Sequence, residues 1–349
     1  KILIFGKSAL TVSGTAPDIT RVRDGLRVLL FEQTQEVLEK RLGFRVAEYG
    51  LRQVFPRVPD HPMLAGITAE QLRDWRGEAT ILPARLTYSM RPRHGPTVEW
   101  CEIPVPRIWR CGNRGNVASV LIEKPVRGDF LPILDGGYGL QYSPLLECRE
   151  GSGLILFCQL DVTGRTELDP VAVALARNIL QYVSDWKPAP VRKAIYAGDP
   201  AGRRHLESAG IVLNPFESRN LRTDQALVLG PGGGRELQAS KDAVAGWLKA
   251  GGNLLAIGME QRDADAIFPF KVNFTNEEHI AAFFEPNGIN SRFQGIGPAD
   301  VHNRDPKTLS LIASGAQVLG DGVLARMQDA NVVFCQLAPW QFDSGKQPN

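Results

Sequence analysis

Little in this sequence points to a metal, a nucleic acid or a membrane. Cysteine is scarce: five residues in 349, an odd number at spacings that fit no zinc pattern. The five histidines are scattered, and none stands at ligand spacing from another. Lysine and arginine exceed aspartate and glutamate by only 40 to 38. No stretch clusters basic residues with aromatics, so a nucleic-acid partner has no footprint. There is no run of about 18 apolar residues to cross a membrane, and no signal peptide is recognisable. No cofactor motif is complete. The chain starts at Lys1 inside what reads as a strand and stops at Asn349 in mid-phrase. The expectation is an excised piece of a longer protein, for which a missing targeting signal means little.

What is present is α/β patterning. Val28–Phe31 are four consecutive apolar residues, the pattern of a strand buried on both faces. The polar Glu32-Gln33-Thr34 follows. Val37, Leu38, Arg41 and Leu42 then fall at helical spacing, and Gly43 ends the helix. Before this unit, Ile2–Phe5 read as a strand and 17–27 as a helix or turn. After it, Phe44–Tyr49 read as a strand and Thr68–Trp75 as a short helix capped by Thr68, with Gln71 three residues on. From about 86 to 150, Gly, Pro and aromatics punctuate short apolar runs, which predicts a β-rich insertion of hairpins. Gly153–Leu160 read as a buried strand and Asp169–Val183 as an amphipathic helix. Trp186-Lys-Pro-Ala-Pro190 reads as a linker.

Beyond the linker the pattern restarts, with strands over 194–197, 225–229 and 254–257 and helices over 200–208 and 241–249. Four phrases recur in the same order. Leu3–Gly6 resembles Leu227–Gly230, and the Glu32-Gln33 elbow resembles Glu260-Gln261. Leu64–Ile67 resembles Phe293–Ile296, and Phe157-Cys-Gln-Leu160 is identical to Phe334-Cys-Gln-Leu337. The offsets are 224, 228, 229 and 177 positions. The drop falls across the β-rich stretch, as if the second half lacked it. This argues for a tandem duplication with the first copy clipped at its start. The expected domains are 1–185, a linker at 186–190, and 191–349, the last truncated at its end.

The elbow, the phrase Asp60-His-Pro-Met-Leu-Ala-Gly66 and the run Gly151–Phe157 resemble class I glutamine amidotransferase-like domains. The closer resemblance is to atypical versions attached to bacterial carbohydrate-active proteins: β-galactosidase trimerisation domains, trehalose-utilisation domains and family 2 glycoside hydrolase-associated regions. Ser143–Tyr182 look most like the last group. The resemblance covers most of 1–185 and the second half more loosely. It implies two tandem doubly wound, flavodoxin-like, mainly parallel sheets, no cofactor, and other domains of a parent protein as partners, with a homo-oligomer and a carbohydrate as further partners. A polysaccharide-degrading parent would place the chain in a bacterial periplasm or outside the cell.

The chemistry of that family needs a cysteine nucleophile on a strained elbow. The elbow positions here hold Phe31 and Glu32, then Met259 and Glu260. Neither copy has Cys or Ser, so glutaminase chemistry is not expected. Cys158 and Cys335 lie in apolar runs and read as buried, inert thiols. A Cys101–Cys111 or Cys111–Cys148 bridge stays open. Glu32 with Asp60 or Asp161 could form a glycosidase pair, which needs two carboxylates roughly 5–10 Å apart. The plainer reading of Glu32 and Glu260 is helix capping. His61 is a base or sugar ligand on one reading and a loop-ordering residue on the favoured one. Gly230-Pro-Gly-Gly-Gly-Arg235 lacks both the Gly-Lys-Ser/Thr of a P-loop and the last glycine of a dinucleotide fingerprint, so it reads as a crossover turn. The insertion gathers Trp100, Trp109, Arg110, Asn113, Arg114, Asp135, Tyr138, Gln141 and Tyr142. Such residues suit an interface first and a sugar site second.

Overall fold

The computed structural model describes residues 1–79, 97–100, 103–106, 114–218 and 221–342. The chain divides into two units, residues 1–188 with 286–295, and residues 189–285 with 296–349. In chain order the first unit holds strands β1 (Ile2–Phe5), β2 (Arg27–Phe31), β3 (Val46–Leu51), β4 (Phe55–Pro56), β5 (Trp75–Glu78), β6 (Thr97–Trp100), β7 (Ile103–Pro106), β8 (Arg114–Gly115), β9 (Ala118–Glu123), β10 (Asp129–Gly136), β11 (Tyr142–Glu150) and β12 (Gly153–Cys158). Its helices are α1 (Gln35–Lys40) and α2 (Pro170–Asp185).

β2 lies second from one edge of the sheet rather than at its centre, parallel to the edge strand β1 on one side and to β12 on the other. All of Val28–Phe31 are buried, and the pleat sends them to opposite faces. Val28 and Leu30, with Ile155 and Phe157 of β12, pack on Val37 and Leu38 of α1. Leu29 and Phe31, with Leu154, Leu156 and Cys158, pack on Ala172, Leu175, Ile179 and Val183 of α2. Those four recur at helical spacing, as predicted. Pro170 starts α2, and Asp169 caps it by accepting from the Val171 N–H at 2.8 Å.

The remainder of the sheet departs from expectation. Its order is β1-β2-β12-β11-β10-β4, with β9 on β11 and β3 on β9, and every pairing beyond β12 is antiparallel. The stretch expected as an insertion therefore supplies strands of the central sheet, which is mixed rather than mainly parallel. The cause is connection length. Only Gly151 and Ser152 join β11 to β12, with Gly151 at φ +60°, and a two-residue loop permits only a hairpin. The expected helix at 68–75 is a single turn, Ala69–Gln71, after which Trp75 opens β5.

The second unit holds β13 (Lys193–Ala197), α3 (Pro200–Ser208), β14 (Leu213–Asn214), β15 (Gln225–Leu229), α4 (Gly233–Glu236), α5 (Lys241–Lys249), β16 (Asn253–Ile257), α6 (Gln261–Ile267), β17 (Asn273–His279), β18 (Lys307–Ser314), β19 (Gln317–Leu319), β20 (Leu324–Arg326) and β21 (Val332–Cys335). Its sheet runs β14-β13-β15-β16-β21-β20-β19, parallel as far as β21 and antiparallel after it. β17 and β18 form a separate antiparallel pair. Val244, Trp247 and Leu248 of α5, with Ala264 and Ile267 of α6, pack on one set of strand residues. Leu206 of α3 packs with Tyr196 and Val228, which point the other way.

Residues 286–295 were expected within the second domain but belong to the first unit. The Ile289 N–H donates to Asp60 Oδ1 at 2.5 Å, and Arg57 Nε donates to the Gly295 carbonyl at 2.5 Å.

Candidate functional site at the strand ends

In parallel α/β sheets ligands gather beyond the carboxyl ends of the strands. In the first unit that end carries Gly6, Glu32, Gln33, Gln159 and Asp161. Glu32 leaves β2 with its N–H on the Cys158 carbonyl at 2.8 Å, while its own carbonyl accepts from the Ser8 N–H at 2.8 Å. Its side chain is fully buried. Oε1 accepts from the backbone N–H of Thr163 at 2.7 Å and from the Thr163 hydroxyl at 2.9 Å. Oε2 is buried without a hydrogen-bond partner in the protein. Burial pushes this carboxyl up to about 8. The nearby Asp161 carboxylate adds to the rise, and the Thr163 hydrogen bonds and Lys7 oppose it.

Asp161 and Arg165 are both buried and lie 3.4 Å apart. Arg165 is fully sequestered and donates to four backbone carbonyls, those of Glu78, Trp75, Arg76 and Asn116. It ties the strand-end loop to the β5–β8 ribbon. The thiol of Cys158 is buried and pushed well above its ordinary value, mainly by desolvation and then by Glu32. Cys335 is also raised by burial, and Cys148 is a free thiol pushed up to about 12. None of the three is poised as a thiolate.

Gln33 and Gln159 close this end. The Gln33 N–H donates to Gln159 Oε1 and the Gln159 amide donates back to the Gln33 carbonyl, both at 2.9 Å. The Gln33 amide also donates to the carbonyls of Gly6, at 2.8 Å, and Phe31. A nucleophile elbow requires a strained turn. Among the described residues, positive φ outside glycine falls at Ser8, Asp74, Leu140 and Asp321. Glu32 is therefore not held in an elbow conformation.

The other candidates lie apart from Glu32. The His61 ring packs against Tyr182 in a tilted arrangement, with centroids 4.7 Å apart and planes at 60°. Tyr182 belongs to the last turn of α2, where Arg27, the first residue of β2, donates to the Val183 carbonyl at 2.9 Å. His61 is thus at the amino end of β2, opposite Glu32. It is buried, accepts from the Met63 N–H through Nδ1 at 3.3 Å, and is held neutral, its pKa lowered to about 4 by desolvation and by Arg149. Tyr182 donates to Glu147, itself fully buried against Arg149. Asp60 is exposed and accepts from the Ile289 N–H. Glu260 is exposed at the N-terminus of α6 and makes no side-chain cap.

Of the aromatic insertion set, Trp109, Arg110 and Asn113 lie outside the described residues, and of Trp100 only the backbone is described. Arg114 is exposed in the β5–β8 ribbon, 3.6 Å from Glu78. Asp135 is buried between Arg57 at 2.8 Å and Lys124 at 3.1 Å. Tyr138 is fully exposed at the tip of the β10–β11 hairpin, where Gln141 accepts from the Gly139 N–H. Tyr142 is half-buried against the core. Asp135 is a buried ion-pair centre rather than a surface group.

In the second unit, Gly230–Arg235 crosses from β15 into α4. Its N–H groups already have an anion. Asp263, buried on α6, accepts from the Gly232 N–H at 3.1 Å, the Arg235 N–H at 3.2 Å and Arg235 Nε at 3.0 Å. An internal carboxylate fills the place a phosphate would take. The glycines are dictated by close backbone approach: a Cβ on Gly233 would overlap the Ala197 carbonyl, and one on Gly234 the Asp263 carbonyl.

The Phe334–Leu337 end repeats the amide clasp. The Met259 N–H donates to Gln336 Oε1 at 3.3 Å, and the Gln336 amide donates to the Met259 carbonyl at 2.8 Å. The Gly258 N–H donates to the Cys335 carbonyl at 2.8 Å. By strand register Gly258 and Met259, not Glu260 and Gln261, occupy the positions of Glu32 and Gln33. Among the described residues no group of three His, Cys, Asp or Glu side chains could hold a metal, and no helix is long and apolar enough to cross a membrane.

Comparison with known proteins assigns no family. No family model matches the chain, and no curated protein matches it. A solved chain from Thermoplasma acidophilum, provisionally described as belonging to a GMP synthase, is similar over 43% of this chain and 85% of its own length, at 16% identity and a TM-score of 0.26. A likeness that slight carries no argument about fold or activity.

Arg165, Thr163 and Asp263 escaped the sequence reading. A lone Arg or Asp carries no local signal that it will be buried, because the partners that hold it are distant in sequence.

Proposed function

We propose that this chain is a non-catalytic, amidotransferase-like assembly module of a larger carbohydrate-active protein. One observation carries the loss of catalysis: the carboxyl at the expected elbow, Glu32, is sealed from solvent and anchored on Thr163. A substrate cannot reach it without the strand end opening. The raised pKa of Glu32 is what a general acid would need, but a glycosidase also needs a second, reachable carboxylate. Asp161 is buried on Arg165, and Asp60 is at the other end of the sheet beside His61.

The tandem reading is part of the proposal. It is supported by the two amide clasps and by strand register, since Leu3 faces Val28 as Leu227 faces Leu254. It is also supported by two matched turns. Gly66 and Gly295 both have φ +73°. Each precedes a single helical turn in which a side chain reaches back, Gln71 to the Thr68 N–H at 2.9 Å and Asp300 to the Gly297 N–H at 2.7 Å. The order β14-β13-β15-β16-β21, or 2-1-3-4-5 counting only its parallel strands, favours a flavodoxin-like sheet there. The carbohydrate-active parent rests on the sequence resemblance of the elbow, Asp60–Gly66, Gly151–Phe157 and Ser143–Tyr182.

The tests are direct. The chain is assayed for glutamate release from glutamine and for cleavage of 4-nitrophenyl glycosides, beside Glu32→Gln. No turnover is expected; hydrolysis abolished by Glu32→Gln would overturn the proposal. Light scattering over a dilution series should give a stable oligomer, and a strict monomer counts against assembly. The full reading frame should encode a glycoside hydrolase catalytic domain, and a frame without one refutes the carbohydrate assignment.

A further inference from the structure

The second unit has a groove that the proposed scaffold role does not use. Its volume is 720 Å³, and its lining includes Tyr196, Arg203, Phe216, Glu217, Glu236 and Ser240. That volume lies in the range of small-molecule sites, about 300–1,000 Å³. The topology explains why a groove forms here. From β13 the chain passes through α3 to β14 on one side, and from β15 through α4 and α5 to β16 on the other. The two connections diverge, and a crevice opens beyond the carboxyl ends of β13 and β15. Tyr196 comes from β13, Arg203 from α3, Phe216 from the residues after β14, and Glu236 from α4.

We infer that this groove binds a neutral mono- or disaccharide. The inference goes beyond the scaffold reading and does not depend on it. Every charge in the groove is already answered within the protein. Glu236 accepts from the Gly198 N–H at 2.9 Å. Arg203 lies 3.4 Å from Glu207, with its guanidinium 5.7 Å from the centre of the Tyr196 ring. Glu217 is partnered as well. What remains is hydrogen-bonding capacity. The two carboxylates have further lone pairs, the guanidinium has further N–H groups, and Ser240 can donate and accept. Sugar hydroxyls need this mixture of donors and acceptors, and Phe216 adds an apolar surface for the C–H face of a ring.

Other ligand classes fit less well. A phosphate would face Glu217 and Glu236, and the N–H groups of the adjacent glycine loop are held by Asp263. An apolar ligand would leave Arg203 and Glu236 desolvated and incompletely paired.

The test is saturation-transfer NMR on the full chain with glucose, galactose, mannose and xylose, their β-methyl glycosides, and maltose, lactose and cellobiose. Inorganic phosphate is included as a competitor. At least one sugar should receive transfer that phosphate does not displace. Glu236→Gln should weaken its binding about tenfold, near the size of one hydrogen bond to a charged group, and Phe216→Ala should weaken it by a similar factor, about tenfold, through the apolar area lost from the ring face. Glu236→Gln keeps an acceptor for Gly198, so it preserves the loop if Phe216→Ala does not fold, and circular dichroism checks both. No transfer from any sugar, transfer undiminished in the folded variants, or displacement by phosphate would each overturn the inference. Binding without hydrolysis leaves the scaffold proposal standing, so the two ideas fail separately.

Discussion

Glu32 and His61 place opposite demands on pH, and together they predict the shape of a stability profile. The Glu32 carboxyl moves from 4.5 to about 8 on folding. Across that window the folded protein keeps a proton the unfolded chain has released. Stability therefore falls as pH rises, by about 1.4 kcal/mol per pH unit and about 5 kcal/mol in all. His61 moves from 6.5 to about 4. Between those values the unfolded chain holds the extra proton, so stability rises with pH at the same slope.

From about pH 4.5 to 6.5 the two slopes cancel. From 6.5 to 8 Glu32 acts alone, and about 2 kcal/mol is lost. Glu32→Gln removes the falling limb. Its amide oxygen can still accept from Thr163, so the variant should match the parent near pH 4.5 and be more stable by about 5 kcal/mol above pH 8. Its own profile should rise to about pH 6.5 and then stay level. Urea unfolding of both proteins at about pH 5, 6.5 and 8 measures this directly. Two profiles that run parallel across the range would refute the claim that Glu32 is a protonated, buried acid.

Four further substitutions test the packing. Arg165→Met takes the ion-pair partner from buried Asp161 and the donor from four carbonyls; a loss of about 3–5 kcal/mol is expected in chemical denaturation, and a loss under about 1 kcal/mol would show the clamp to be dispensable. Gly233→Ala should cost about 1–3 kcal/mol because the Ala197 carbonyl cannot retreat, whereas Gly246→Ala, inside α5 with open space around it, should gain up to about 1 kcal/mol. Equal effects on the two melting temperatures would refute the steric account. Asp263→Ala strips the acceptor from two N–H groups at the start of α4 and should cost about 1–3 kcal/mol; an unchanged urea midpoint would mean that water serves those groups as well.

What the sequence made legible was what short-range periodicity encodes. The cap of α1 is Thr34 and not Glu32 as expected, whereas Val28–Phe31 and the 172-175-179-183 stripe of α2 each announce themselves within a dozen residues. The same holds for β13, α3, β15, α5 and β16. Strand direction was encoded too, in Gly151-Ser152, but in a turn rather than in a period. Reading 86–150 as an insertion missed that a two-residue loop commits β11 to the neighbouring place in the sheet. Residues 286–295 carry no periodic signal, and their membership of the first unit comes from Asp60 and Arg57, more than 200 positions earlier. The elbow alignment slipped by two positions for a related reason. Glu-Gln matches Glu-Gln in letters, but the register is set by backbone pairing with Cys158 and Cys335.

The case against catalysis in the first unit rests on how its strand ends are occupied. Enzymes of parallel-sheet architecture keep polar groups at those ends for a ligand. Here the polar groups are used by the protein itself. Gln33 and Gln159 satisfy each other, Thr163 holds Glu32, and Arg165 holds Asp161 and four carbonyls. The second unit does the same with Gln336 at Met259 and with Asp263 at the glycine loop. Each arrangement removes donors and acceptors that a substrate would need. Each also converts a mobile strand-to-helix junction into a buried, hydrogen-bonded one, since an unpaired group there would cost about 1–3 kcal/mol. The groove beside β13 is different. It keeps hydrogen-bonding capacity open to solvent, and its charges are balanced rather than buried. If this chain recognises a small molecule, the physical opportunity lies there and not at the elbow that its resemblance to amidotransferases would nominate.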